Sequence, residues 1–158
     1  MSSKRRGAWY WFNAWWPVAL GVAVVAIESE WLSSDNTSGP LRAVWQAIFG
    51  HVGDARWDAV HHYIRKTGHF TGYGLIGAAW LRAWWRTLPR SHYLSDAVLA
   101  LFGTALMAAS DEWHQSYFPD RTGTPWDVLL DCTGAFVVQL LIYLFLRLFR
   151  PKKLAHEE

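Results

Sequence analysis

The fold of this chain is decided by residues 110–134, which read SDEWHQSYFPDRTGTPWDVLLDCTG. This acidic stretch lies between two apolar runs. Each run is long enough to cross a bilayer. An ionisable side chain at the bilayer centre costs about 2.5–3.5 kcal/mol on insertion scales unless it is paired or hydrated. Polar residues in this position are therefore candidate functional residues, and the rest of the chain is interpreted around them.

Apolar residues make up 52% of the chain and occur in blocks. The blocks predict four transmembrane spans, at about 9–28, 66–88, 96–117 and 126–149. The predicted fold class is all-α, a polytopic membrane four-helix bundle that forms a single domain over residues 1–158. The basic residues before the first span imitate a signal peptide, but further apolar runs follow, so we expect a retained anchor.

The connection between spans one and two is predicted to contain two short helices, at about 40–50 and 54–65. Pro40 marks a helix start, Gly50 a stop, and Asp54 the N-cap of the second helix. Both segments are too short to span a bilayer. They either lie in the membrane interface or pack over the bundle, and the pattern leaves both alternatives open.

Basic residues are twice as frequent at one predicted face of the membrane as at the other. If the N-terminus is inside, the cytoplasmic side holds Lys4, Arg5, Arg6, Arg82, Arg86, Arg90, Arg147, Arg150, Lys152 and Lys153. The positive-inside rule therefore predicts that both termini are cytoplasmic. Tryptophans also band at the two predicted interfaces, with Trp9, Trp11, Trp80, Trp84 and Trp85 inside and Trp31, Trp113 and Trp126 outside.

This alternation of spans brings polar residues of three helices to one depth, beneath the outer surface. Lys66, His69 and Tyr73 recur on one face of span two, at helical spacing. The corresponding residues are Asp111, Glu112 and Gln115 on span three, Asp127 and Asp131 on span four, and Arg121 in the turn between them. Together they predict a single polar cleft that opens to the outside.

We assign candidate roles by side-chain chemistry. His69 and Glu112 are the candidate acid/base pair, and Asp127 would orient His69 or Lys66. Lys66 and Arg121 would hold an anionic head group such as phosphate. The remaining binding candidates are Tyr73, Asp111, Gln115 and Asp131. The alternative is that these charges only neutralise one another, with Tyr73 and Gln115 as hydrogen-bonding links between helices.

No cofactor and no metal site is predicted, because no HExxH motif or Cys/His ligand spacing occurs. A divalent metal held by His69, Glu112, Asp127 and Asp131 is the alternative. Cys132 is the single cysteine and excludes an internal disulfide. The expected partners are membrane lipids, including a lipid-linked envelope precursor or an anionic head group, and no nucleic acid. The oligomeric state is open.

Two motifs carry a family resemblance. They are Lys66-x-x-His69-Phe70-x-x-Tyr73 and Asp111-Glu112-x-x-Gln115-x-x-Phe118-Pro119-x-Arg121-x5-Asp127-Val128-x5-Gly134. Both occur in order on spans two to four, and on them the chain resembles the VanZ-like family of small bacterial membrane proteins. It departs from the family pattern at Asp131, where Asn is favoured, and at Asp120, where Gly is usual.

The resemblance implies a multi-pass protein of the bacterial plasma membrane, in a family whose founding member is associated with resistance to the glycopeptide teicoplanin. It implies no reaction, so whether the protein is an enzyme is open. The first hypothesis is a protein that binds or acts on a cell-envelope or lipid head group. The alternatives are a non-catalytic membrane scaffold and an ion-coupled or proton-coupled transporter, the last disfavoured because no inverted repeat is visible.

Overall fold

The computed structural model describes residues 7–31, 34–89, 92–117 and 123–149. It describes the side chains of all these residues except 29–31 and 34–36. These residues form helices and connections, and no strand occurs among them. The helices are α1 (Ala8–Trp31), α2 (Ser34–Phe49), α3 (Asp54–Thr87), α4 (Tyr93–Gln115) and α5 (Pro125–Leu148). The prediction of an all-α fold is confirmed.

Helix α3 is longer than the sequence suggested. It runs without interruption for 34 residues, so the separate helix predicted at 54–65 and the span predicted at 66–88 are one element. The segment contains no proline to break it. Helix α3 also packs against α1, α2, α4 and α5, and this packing outweighs the low helix propensity of its glycines. It is the central helix of the bundle.

Two predicted helix starts are wrong. Helix α2 begins at Ser34, so Pro40 lies inside it and not at its start. A proline ring fits helical φ and removes only one backbone hydrogen bond, which a short helix with tertiary contacts tolerates. Helix α3 takes Gly53 as its N-cap, and Asp54 is its first residue. An acidic group there still interacts favourably with the helix dipole.

Side-chain contacts hold α2 against the start of α3. The indole N–H of Trp57 donates to Ser38 Oγ at 2.7 Å. The Arg42 guanidinium donates to Asp54 Oδ1 at 2.7 Å and to the Val52 carbonyl at 2.8 Å. The apolar residues Val44, Ile48 and Phe49 of α2 are nevertheless exposed. Helix α2 is therefore docked mainly by these polar contacts, because its apolar residues are exposed or, in the case of Leu41 and Trp45, only half-buried.

The packing of α1 on α3 compensates for a proline inside α1. Pro17 has no N–H, so the carbonyl of Asn13, four residues earlier, loses its helical partner. The Arg82 guanidinium on α3 donates to that carbonyl at 2.8 Å, and also to the Ala14 carbonyl at 2.9 Å. The start of α1 therefore lies against the end of α3, and the two helices are antiparallel.

Glycines allow α3 and α5 to approach closely. A Cβ added to Gly134 would overlap the carbonyl oxygen of Phe70 on α3. A Cβ on Gly74 would meet Val138 Cγ2 at 2.8 Å, and one on Gly77 would meet the Ala135 Cβ at 2.7 Å. Small residues at helix crossings are typical of membrane bundles, because van der Waals contact replaces the hydrophobic effect there.

In the described part of the chain, three helical segments are long and apolar enough to cross a membrane: Ala8–Glu28, Tyr93–Gln115 and Pro125–Leu148. The span predicted at 66–88 lies in α3 and is not among them, because glycine, histidine, threonine and aromatic residues keep its mean hydropathy below that of the other three segments. Large apolar side chains are exposed along the three segments, among them Leu20, Val24, Ile27, Leu99, Phe102, Leu106, Leu141, Leu144 and Phe145. This surface fits a protein that lies in a membrane.

Candidate functional site

The candidate site lies at one end of the bundle, where α3, α4 and α5 meet. The buried face of α4 has a repeat of four residues, formed by Asp96, Ala100, Thr104 and Ala108. The same stripe continues into Asp111, Glu112 and Gln115, which are 5–7% exposed. Small residues along the stripe let α3 and α5 approach α4, so the polar residues at its end face the other helices.

Two polar contacts attach α3 to its neighbours at this end. The Lys66 ammonium forms an ion pair with the Asp127 carboxylate on α5. The Tyr73 hydroxyl donates to Asp111 Oδ2 on α4 at 3.1 Å, and both residues are buried. The side chains predicted to share a cleft from helical spacing alone are therefore in direct contact across three helices.

His69 lies between these two contacts. Its Nδ1 is 3.4 Å from Asp131 Oδ1 on α5. The Asp131 side chain has no exposed surface, whereas that of His69 keeps 24% exposure. The His69 ring also stacks on the Tyr73 ring, with centroids 6.2 Å apart. The imidazole is therefore oriented by one carboxylate and one aromatic ring.

Glu112 is held by the segment that precedes α5. The Thr124 backbone N–H donates to Glu112 Oε2 at 2.9 Å. Thr124 is also the N-cap of α5, since its Oγ1 accepts from the Asp127 backbone N–H at 3.3 Å. Gly123 approaches the Glu112 carbonyl so closely that a Cβ would overlap it. One turn thus fixes both a carboxylate of α4 and the start of α5.

Of the two partners predicted for Asp127, the structure pairs it with Lys66. The carboxylate beside His69 is Asp131. Arg121 and Asp120 lie outside the described residues, so the predicted contact between Arg121 and the carboxylates has no structural description.

Three groups of the site have the chemistry and spacing of metal ligands. One ring nitrogen of His69 and one carboxylate oxygen each of Asp111 and Glu112 lie within 4.8 Å of one another. Within the described residues, this set differs from the four candidates named from the sequence, because Asp111 takes the place of Asp127 and Asp131.

Two cavities meet at the site. A polar cavity of about 140 Å³ is lined by Glu28, Thr37, Leu41, Arg65, Gly68, His69, Asp111 and Gln115. An apolar groove of about 320 Å³ runs between α1 and α3, from Trp16 and Pro17 to Glu28 and His69. Glu28, Gly68 and His69 line both spaces, so the groove and the polar cavity are adjoining.

The sequence did not predict the contribution of α1 to this region. Glu28, the last residue of the predicted first span, lines both the groove and the polar cavity. His61 of α3 is only 8% exposed, and its Nε2 lies 3.2 Å from Thr37 Oγ1. Burial, with Arg65 nearby, lowers the pKa of His61.

The buried polar residues at the opposite end of the bundle were also missed. Asp96 has no exposed surface, and Gln139 is 4% exposed. The four-residue spacing of Asp96 from Ala100 and Thr104 would have revealed it, because that spacing marks one face of a helix.

Comparison with known proteins gives one result. The family described as VanZ/LLP1 matches residues 9–147. Neither curated proteins nor solved structures gave a match. The family match includes every described residue of the site and the three apolar helical segments except Ala8 and Leu148. Both findings fit a membrane protein. The chain belongs to the VanZ/LLP1 family.

Proposed function

We propose that this protein binds a membrane lipid or lipid-linked envelope precursor, with the apolar chain in the groove between α1 and α3 and the head group in the polar cavity. The observation that carries the proposal is the junction of the two spaces at Glu28, Gly68 and His69. A lipid has the same arrangement, an apolar chain joined to a polar head group.

The dimensions of the groove suit one acyl or prenyl chain. From Trp16 to Glu28, α1 rises roughly 18 Å at about 1.5 Å per residue. Gly68 and Gly72 form part of the wall, and a Cβ added to either would meet nothing within 4 Å. These glycines therefore leave room in the groove, in contrast to Gly74 and Gly77, which make helix contacts.

Helix α2 is a candidate lid over the head group. Thr37 and Leu41 of α2 line the polar cavity, while Val44, Ile48 and Phe49 are exposed. An apolar surface of this kind is stable in the membrane interface. With both termini in the cytoplasm, as the basic residues indicate, α2 and the cavity would face the outer leaflet of the plasma membrane.

Family membership connects this binding with glycopeptide susceptibility. A protein that holds an envelope lipid at the outer leaflet would alter what teicoplanin reaches there. A proton-coupled transporter is less favoured, because the buried face of α4 between Asp96 and Asp111 presents Ala100, Thr104 and Ala108. None of these three side chains titrates, so this face offers no relay across the bundle.

The test is a substitution that places a bulky side chain in the groove at a position that makes no helix contact. Gly72→Leu places a side chain in the groove, and Ala97→Leu is a matched control in a separate apolar groove between α4 and α5. Each protein is purified in mild detergent, and lipids that remain bound are identified by native mass spectrometry. We expect bound lipid on the wild type and the Ala97 variant and its loss from the Gly72 variant. Equal lipid retention by all three would contradict the proposal.

The phenotype is measured with the same variants. Expression of the wild type in a glycopeptide-susceptible host should lower teicoplanin susceptibility, and Gly72→Leu should abolish that effect at equal membrane accumulation. Topology is tested separately with reporter fusions after residue 117 and at the C-terminus, which should report opposite sides of the membrane.

A further inference from the structure

We propose that His69, Asp111 and Glu112 form a binding site for one divalent first-row transition-metal ion, such as Zn²⁺ or Mn²⁺. The three ligand atoms lie within 4.8 Å of one another. Two atoms bound to one ion at about 2.0–2.2 Å are at most about 4.4 Å apart. Small side-chain rotations would therefore bring all three onto a common ion.

Each of the three ligands has an outer partner that would orient it. Asp131 lies beside His69 Nδ1 at 3.4 Å. The Tyr73 hydroxyl donates to Asp111 Oδ2 at 3.1 Å, and the Thr124 N–H donates to Glu112 Oε2 at 2.9 Å. Metal-ligating histidines and carboxylates are characteristically fixed by outer hydrogen bonds. The contacts of Asp111 and Glu112 are such bonds, and Asp131 lies where it would form one with His69.

Asp131 is the observation that separates this site from an ordinary acidic cluster. It has no exposed surface, and neither of its oxygens accepts a well-formed hydrogen bond from any residue in the described part of the chain. A buried carboxylate without such bonds is costly. Beside His69 it would hold the ring proton on Nδ1 and leave the Nε2 lone pair for a metal, the arrangement of a carboxylate–histidine–metal triad.

The ligand set selects the class of ion. One imidazole with two carboxylates favours Zn²⁺ or Mn²⁺, because imidazole binds transition metals better than Mg²⁺ or Ca²⁺. Three protein ligands leave coordination positions open, and His69 and Asp111 line the polar cavity. An ion there would bridge the carboxylates to an anionic head group. Only that bridging role rests on the proposed function; metal binding itself does not.

The test uses the full chain in detergent, stripped of metal with a chelator. Binding of Mn²⁺ alone is followed by the loss of its free electron paramagnetic resonance signal, with Zn²⁺ as a competitor. We expect one saturable site per chain and a rise in the thermal unfolding temperature on metal addition, because the ion binds only the folded protein. Failure of the wild type to bind either ion would overturn the proposal, whatever lipids it retains.

Four variants locate the site. Glu112→Gln removes a ligand and should abolish Mn²⁺ binding. Asp131→Asn and Tyr73→Phe keep shape and should weaken binding by about 10–100-fold, the usual effect of an outer-shell change. Asp54→Asn, at an exposed carboxylate paired with Arg42, is the control and should bind as the wild type does. Unchanged binding by both Glu112→Gln and Asp131→Asn would place the metal elsewhere and refute the assignment.

Discussion

The imidazole of His69 on α3 lies 3.4 Å from the carboxylate of Asp131 on α5, and the Asp131 side chain is completely buried. The pair connects two helices at the point where the apolar groove meets the polar cavity. Asp131 is placed to orient His69 and not to contact a ligand directly, because its side chain has no surface toward the groove or the cavity.

Replacements of Asp131 should therefore show whether stability depends on a hydrogen-bond acceptor beside His69 or only on a side chain of similar size. Asp131→Asn keeps a group that can accept from the His69 N–H, and we expect the free energy of unfolding to change by less than about 1 kcal/mol. Asp131→Leu leaves the imidazole without its partner and should cost about 1–3 kcal/mol. Chemical unfolding in detergent measures both. Equal stability of the two variants would show that the contact does not contribute to folding.

The glycines of α3 and α5 should differ sharply in their tolerance of alanine. Gly134→Ala puts a methyl group against the Phe70 carbonyl, which is backbone and cannot rotate away. We expect a loss of about 1–3 kcal/mol, the usual cost of overpacking. Gly72→Ala is the matched control, because its Cβ meets nothing within 4 Å. It should be neutral or stabilise α3 by up to about 1 kcal/mol, because alanine is the better helix former. Thermal unfolding ranks the two; similar losses for both would contradict the close approach.

Arg82 and Pro17 should be energetically coupled through the Asn13 carbonyl. Arg82→Met removes the donor to this carbonyl and should destabilise the protein by about 1–3 kcal/mol. In a Pro17→Ala background the residue at 17 has an N–H that can bond the same carbonyl, so the cost should be smaller. A double-mutant cycle measures the difference, which we expect to reach at least about 0.5 kcal/mol. Strict additivity would mean that Arg82 acts through other contacts.

The docking of α2 should depend on pH through His61. Burial lowers the pKa of His61 from its ordinary value of 6.5, so the folded form takes up this proton at lower pH than the unfolded form does. Docking is then complete above pH 6.5 and weakens as the pH falls below that value. The measurement is the hydrogen-exchange rate of the α2 amides, compared at each pH with the intrinsic rate of an unstructured peptide. It should show this loss of protection.

Two glutamine variants identify the group that titrates. His61→Gln keeps a side chain that can bond Thr37 but does not titrate, and it should remove the pH dependence. His62→Gln alters the exposed neighbour and should preserve it. If the pH dependence survives in the first variant, another group controls the docking of α2.

Helical spacing made the site foreseeable. Lys66, His69 and Tyr73 fall on one face of α3 by periodicity alone, and the polar residues of α3, α4 and α5 lie together at one end of the bundle. The all-α class follows equally from the apolar blocks. Helix boundaries were less predictable, because the start signals at Pro40 and Asp54 were outweighed by tertiary contacts of α2 and by the packing around α3.

The sequence by itself determined which residues share a helix face, because that depends only on the 3.6-residue turn. Only the tertiary structure decided which partner each residue has: Asp131 for His69, Asp127 for Lys66, and Asp111 for Tyr73. These pairings depend on how far α3 and α5 slide and rotate against each other. Contact through Gly74, Gly77 and Gly134 sets that register, and a periodic pattern in one helix carries no information about its offset from another.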